Sequence, residues 1–197
     1  MNDQIRTFFD RLDQELLPFA KEEARLDMCL LGRAALVVNY QLSLSTKDID
    51  KVWMRDSELE RKAIELLGNG STLAKTLGLD LDPVPQALPP IPNWFRRRCG
   101  RIRGDWKVLR LWMLEVHDLA ATKLKSFRPK DREDLQILCD RGLLDPAKLQ
   151  ESLTAAFPFK SPKVEDVEDD PDTPDWARAL ANLKRLQSYL RGSIASI

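Results

Sequence analysis

The residues best placed to do chemistry are two aspartates, Asp48 and Asp50, in the stretch LSTKDIDKVWM over residues 44–54. The rest of that stretch reads as a strand, in which aspartate is disfavoured. Side chains alternate along a strand, so positions 48 and 50 share one face and Ile49 takes the other. Two carboxylates held that close repel each other unless a cation or a shared proton lies between them. Val52 falls on the aspartates' side and Lys51 opposite, so the strand is expected to twist or end soon after Asp50.

What precedes the pair suggests the cation. RLDMCLL over 25–31 is a short apolar strand that stops at Gly32, and RAALVVNYQL then reads as a helix, with Val37 and Val38 lowering its propensity. A strand that turns through glycine straight into a helix leaves free N–H groups and the positive end of the helix dipole at the turn, which suits an anion. Taken alone, LLGRAAL reads more simply as a tight turn that needs glycine. The strand that follows the helix, however, would lie beside the first and bring Asp48 and Asp50 to the same place. Carboxylates facing a polyphosphate require a divalent cation, and Mg²⁺ accepts one or two protein carboxylates while phosphate and water complete its shell.

A second constellation lies in HDLAATKLKSFRPKDREDLQIL. On a helix starting near Asp118, positions 119, 120, 123, 124 and 127 form one inward stripe, and Lys123 interrupts it. A buried ammonium is costly without a partner. Beyond the turn at Pro129, Asp131, Asp134, Leu135 and Leu138 form the next stripe, so acid and base meet on two inward faces. The competing reading makes Asp131 an N-cap with Asp134 as its capping-box partner, and lets Lys123 snorkel to water.

The elements that must position these groups follow from periodicity and punctuation. Helices are expected over 3–20, 56–67, 118–127, 131–140, 145–156 and 174–190. Strands are expected over 25–31, 48–54 and 106–116, and the five prolines between 83 and 92 make LDLDPVPQALPPIPNW an extended loop. Strands come early and helices late, which argues for an α+β fold with a small mixed sheet. The expected organisation is a core over 1–116, a helical part over 117–160 that completes the site, an acidic proline-containing linker over 161–174, and a C-terminal helix over 175–197.

At 197 residues, with 43% apolar and 31% charged side chains, the composition is that of a soluble globular protein. No run of about 18 apolar residues exists, so no membrane partner is expected. The start, MNDQIRTFFDRLDQELL, lacks the order of a secretion signal, and the cytoplasm is the expected location. Cys29, Cys99 and Cys139 are widely spaced, and His117 is the one histidine. Neither a disulfide framework nor a zinc site is expected. His117 more simply begins a helix, and a serine, cysteine or histidine hydrolase fits poorly. The charges sum to zero but are unevenly spread, with a basic run at 96–110 and an acidic one at 165–172. The basic run, interleaved with Trp94, Trp106 and Trp112, could meet phosphates or RNA. Its simpler reading is a solvated edge strand and loop.

LLGRAALVVNYQLSLSTKDID resembles the opening signature of the polymerase-β-type nucleotidyltransferases, in which a glycine turn, a helix and an aspartate-x-aspartate strand follow one another. HDLAATKL followed by RPKDREDLQIL is similar to the second signature of a bacterial subgroup, the abortive-infection toxin-type (AbiEii-like) nucleotidyltransferases and their uncharacterised relatives. The two segments span roughly residues 26–54 and 116–138. The resemblance implies a nucleotidyltransferase-type sheet with packed helices and a helical C-terminal part. It assigns metal binding to Asp48 and Asp50, catalysis to these two with Lys123 and Asp134, and nucleotide contacts to Gly32, Arg33, Lys123 and Asp131. It also implies Mg²⁺ in a two-metal arrangement, a nucleoside triphosphate as substrate, an RNA end or a protein hydroxyl as acceptor, and a cognate antitoxin as partner.

The chain departs from the family pattern in three places. Arg33 stands where relatives carry a second small residue, Leu44 stands where many carry arginine, and Glu115 is the candidate for a third carboxylate. Two readings follow. Either the chain is a Mg²⁺-dependent nucleotidyltransferase, or it is the same fold without chemistry, serving as a binding or regulatory module.

Overall fold

The computed structural model describes residues 3–21, 24–40, 46–53, 58–85, 89–157 and 174–194. The chain divides into two units, one made of Met1–Leu88 with Arg96–Leu114 and the other of Pro89–Phe95 with Glu115–Ile197. In the first unit lie α1 (Asp3–Leu16), β1 (Leu26–Leu30), α2 (Gly32–Tyr40), β2 (Asp48–Trp53), α3 (Glu58–Leu67), α4 (Thr72–Leu77) and β3 (Asp80–Pro83). They are followed by the short α5 (Phe95–Arg98), which begins at the boundary, then β4 (Gly100–Ile102) and β5 (Leu109–Met113). The second unit holds α6 (Val116–Ser126), α7 (Pro129–Asp140), α8 (Pro146–Ala156) and α9 (Asp175–Ile194). The fold is α+β, as expected.

The strands form one mixed sheet in the order β3-β2-β1-β5-β4. β3 runs parallel to β2 and β1 parallel to β5, whereas β1–β2 and β4–β5 are antiparallel. Directly paired residues share a face. Leu26, Met28, Leu30, Ile49, Leu81, Leu109 and Leu111 therefore make one apolar face, and all are buried. The opposite face is polar, with Asp80 and Asp82 on β3, Asp48 and Asp50 on β2, Asp27 and Cys29 on β1, Arg110 and Trp112 on β5, and Arg101 on β4.

α1 is amphipathic and buries Ile5, Phe8, Phe9, Leu12 and Leu16. Its buried Asp13 accepts the backbone N–H groups of Lys107, Val108 and Leu109 at 3.0, 2.7 and 2.8 Å. Its Asp10 accepts from Trp106 Nε1 at 2.8 Å, and the Trp106 ring meets Phe9 edge-on. Residues 106–108 are thus committed to α1, and the strand expected over 106–116 shortens to Leu109–Met113.

The expectation of a plain loop from residue 79 onward is corrected by β3. Asp80 and Val84 donate their N–H groups to Lys47 and Lys51 carbonyls, so those of even-numbered residues face β2. Pro83, odd-numbered, has its missing N–H on the outer side of an edge strand, where proline is tolerated. α4 was not anticipated either, although both of its signals are local. The Ser71 side chain accepts from Ala74 N–H, and Gly78 ends the helix at φ +66°.

In the second unit α6 packs against α7, α8 and α9. Leu119, Ala120, Ala121 and Leu124 of α6 are buried, as are Leu135 and Leu138 of α7, Leu149 and Leu153 of α8, and Leu183 and Leu186 of α9. Asn182 Nδ2 donates to the Leu124 carbonyl at 2.9 Å, and Lys125 pairs with Asp175 at 2.9 Å. The acidic linker expected over 161–174 falls almost wholly outside the described residues, as does Leu44.

Candidate functional site

Two groups of candidate residues lie in different units. In the first unit, β1 ends at Leu30 and the chain turns at Gly32, whose φ of +57° is in the left-handed region that favours glycine. Leu31 N–H donates to the Asp50 carbonyl at 2.8 Å, which fastens the turn to β2. A Cβ added at Gly32 would overlap the Asp50 carboxylate. Glycine is needed there twice over, for its backbone angle and for the approach of a carboxylate to the N-terminus of α2. Of the two aspartates expected near Gly32, Asp50 lies against the turn.

Asp48 and Asp50 are both partly exposed on the polar face, while Ile49 between them is fully buried. The Thr46 hydroxyl lies 2.9 Å from the Asp48 carbonyl and 3.1 Å from its Oδ1. Lys51 is fully buried, and that burial pushes its ammonium pKa down from 10.5 to about 7 against the opposing pull of Glu60 and Asp82. Arg33 sits half-buried on the first turn of α2.

The parallel register adds two acids that the sequence reading left in a loop. Asp80 is the direct partner of Asp48 and Asp82 that of Asp50, so four carboxylates share one face of two neighbouring strands. The signal was present in the sequence as a second aspartate-x-aspartate alternation. Proline after it obscured the strand. Asp27, on the same face, is occupied by Arg110 at 2.7 Å and by Trp112 Nε1 at 3.0 Å. Among the described residues no three His, Cys, Asp or Glu side chains converge as a metal cage. A paired carboxylate suits Mg²⁺ better than such a cage would, because Mg²⁺ draws much of its shell from phosphate and water.

The basic stretch resolves into local contacts. Arg101 on the edge strand β4 is exposed and lies over the Trp112 ring at 5.6 Å, while Arg97 and Arg103 are also exposed. Trp106 and Trp112 serve as anchors through their indole N–H groups, and Trp94 remains exposed.

In the second unit, Lys123 donates to Asp134 Oδ2 at 2.6 Å and lies 3.8 Å from Asp131 Oδ1, with all three side chains buried. The two inward stripes meet as their spacing implies. Asp131 is not the N-cap of α7. It sits one turn inside, where its Oδ2 accepts the backbone N–H and Nε of Arg128 at 3.1 and 3.0 Å. Glu115 is corrected as a metal-site candidate: it caps α6, with Oε2 accepting from His117 and Asp118 N–H and Oε1 2.6 Å from His117 Nδ1. Nε2 of His117 accepts from Asp145 N–H, so this histidine ties the start of α6 to the start of α8.

No helix among the described residues is long and apolar enough to cross a membrane. No curated protein and no solved structure matches the chain. A family model described as "Nucleotidyltransferase of unknown function (DUF6036)" matches residues 7–160, more than three quarters of the length. With the mixed sheet, the glycine turn and the aspartate pair already in place, the chain belongs to this nucleotidyltransferase family.

Proposed function

We propose that the protein is a Mg²⁺-dependent enzyme that moves a nucleotidyl group from a nucleoside triphosphate to an RNA end. The observation that carries this reading is the contact of the Gly32 turn with Asp50 beside Asp48, which sets an anion-binding helix N-terminus against a carboxylate pair. Asp48 and Asp50 would hold the cations, and Asp80 and Asp82 add negative charge on the same face of the sheet. The bound cations supply Lewis acidity and neutralise the charge that builds on the attacking and leaving oxygens. The N–H groups at the start of α2 orient the triphosphate, and Arg33 adds positive charge on the same turn. Exposed Arg97, Arg101 and Arg103 favour a polyanionic acceptor over a protein hydroxyl. A toxin–antitoxin setting in the cytoplasm, with a cognate antitoxin as partner, belongs to the same proposal through the AbiEii-like resemblance.

Lys123 takes a different place in this reading than the resemblance implies. Its ammonium is consumed by Asp134 inside the helical unit, so it orders α6 against α7. That pairing, with Arg33 in a small-residue position, also supports the second reading of a module that binds nucleotide without transferring it.

The test uses the full chain with each labelled ribonucleoside triphosphate, Mg²⁺ and total RNA or lysate. Label on RNA supports the proposal, and label on protein moves the acceptor. For binding alone, saturation at about 100 times the dissociation constant stabilises by roughly 2.7 kcal/mol. That corresponds to about 5 to 10 °C in melting temperature for a chain of this size. The shift should require triphosphate and Mg²⁺ together and vanish in Asp48→Asn with Asp50→Asn. A metal-dependent shift without any transfer selects the binding module.

A further inference from the structure

Cys29 and Cys99, 70 residues apart in sequence, bring their Sγ atoms to 3.4 Å within the first unit. Cys29 sits on β1, fully buried on the polar face of the sheet, three residues before the Gly32 turn. Cys99 joins α5 to the edge strand β4 and is partly exposed. Neither is in a disulfide. A disulfide requires about 2.05 Å between sulfurs, so closure needs a movement of little more than 1 Å. We propose that Cys29 and Cys99 form a reversible disulfide modification site, closed by peroxide-class oxidants and opened by thiol reductants.

The chemistry divides between the two sulfurs by access. The Cys99 thiolate attacks the O–O bond of hydrogen peroxide, taking one oxygen as sulfenic acid and releasing hydroxide, which is protonated to water. The Cys29 thiolate then attacks the Cys99 sulfur and expels a second water. Two thiols and one peroxide give one disulfide and two waters. Cys139 supplies an internal comparison, since burial and the neighbouring Asp140 push its thiol pKa up to about 11 and leave it little thiolate. The bond would staple β1, beside the Asp50 turn, to the segment that carries Arg96, Arg97 and Arg98. The proposal stands on the geometry of the first unit alone and does not depend on the transferase reading.

The experiment treats the reduced, folded full-length protein with a small excess of hydrogen peroxide, alkylates the remaining thiols in denaturant and maps tryptic peptides. The expected product joins peptide 26–33 to peptide 99–101, two hydrogens lighter than the separate thiols, with peptide 133–141 carrying an alkylated Cys139. Oxidised protein should melt roughly 5 to 10 °C above reduced protein, because the bond closes a long loop, and dithiothreitol should abolish the difference. In Cys29→Ser, a sulfenic acid trapped by dimedone should accumulate on peptide 99–101. Alkylation of all three cysteines after peroxide, bonds to Cys139, or bonds between chains would overturn the proposal. Should the variant fail to fold, the wild-type peptide map decides alone.

Discussion

Two sets of charged residues, one in each unit, are made of similar chemistry and treated oppositely by the fold. Asp48 and Asp50 lie partly exposed on the polar face of a sheet, with Asp50 against the turn that starts α2. Lys123 and Asp134 are buried at 5% and 0% exposure and are 2.6 Å apart. A buried ion pair is satisfied internally and has little reason to engage a ligand, whereas like charges kept near solvent favour an external cation. Partner sign and burial, more than residue type, set the two groups apart.

The largest effect expected tests the buried pair. Lys123→Met removes the ammonium that lies 2.6 Å from buried Asp134, and removing one member of a buried pair costs about 3 to 5 kcal/mol. Melting should fall by roughly 10 °C, and hydrogen exchange should accelerate across α6 and α7. Lys123→Met with Asp134→Leu should recover most of the loss. Unchanged stability with lost triphosphate binding would reverse the comparison and make Lys123 a ligand contact.

Gly32→Ala tests the turn. The left-handed backbone and the overlap with the Asp50 carboxylate should together cost about 2 to 3 kcal/mol. Adding Asp50→Ala should restore the part due to overlap. A urea titration of the single and double variants that gave no recovery would mean the carboxylate approach contributes nothing.

Lys51 sharpens the contrast, because it is a buried cation whose ordinary charge the fold opposes. Its folded pKa of about 7 lies below the usual 10.5, so the unfolded chain binds more protons between those values and stability rises with pH across that window. Below pH 7 the cost is fully present, and above about 10.5 it is gone. Lys51→Met should therefore be more stable than the native protein at pH 6 and show no such gain near pH 10.5. Parallel pH profiles for the two proteins would show that Lys51 is not the titrating group.

The smallest effect belongs to the aspartate pair without ligand. Asp48→Asn with Asp50→Asn should move the melting temperature by less than about 2 °C, relief of repulsion offsetting the loss of a negative charge at the α2 N-terminus. A collapse of stability would make the pair structural.

Helical periodicity made the second set readable in advance: 123 lies on the apolar stripe of α6 and 131, 134, 135 and 138 on that of α7, and all are buried. The glycine turn and Asp48-x-Asp50 were readable for a similar reason, since strand alternation is a local property. Asp80 and Asp82 were hidden because their strand exists through pairing with β2 and not through its own propensity, with Pro83 and Pro85 arguing against it. Glu115 was read as a candidate third carboxylate, or as a residue just before the helix cap, because the helix was expected to start near Asp118, whereas it starts at Val116 with Glu115 as its N-cap. The grip of Asp13 on residues 107–109 had no local signal at all, being made across 94 to 96 residues.

The strand order has a consequence for the chain as it is made. β5, last of the five in sequence, inserts between β1 and β4, and it is the segment that Asp13 holds. Until residues 109–113 have emerged from the ribosome, β1 is paired with β2 alone and its other backbone edge awaits β5. Such an unpaired edge invites association with other chains. A fragment ending at residue 105 should lack protected amides in β1 and aggregate on release, and one ending at residue 116 should protect them; equal protection in both would place the nucleus of this unit in β1–β3 instead.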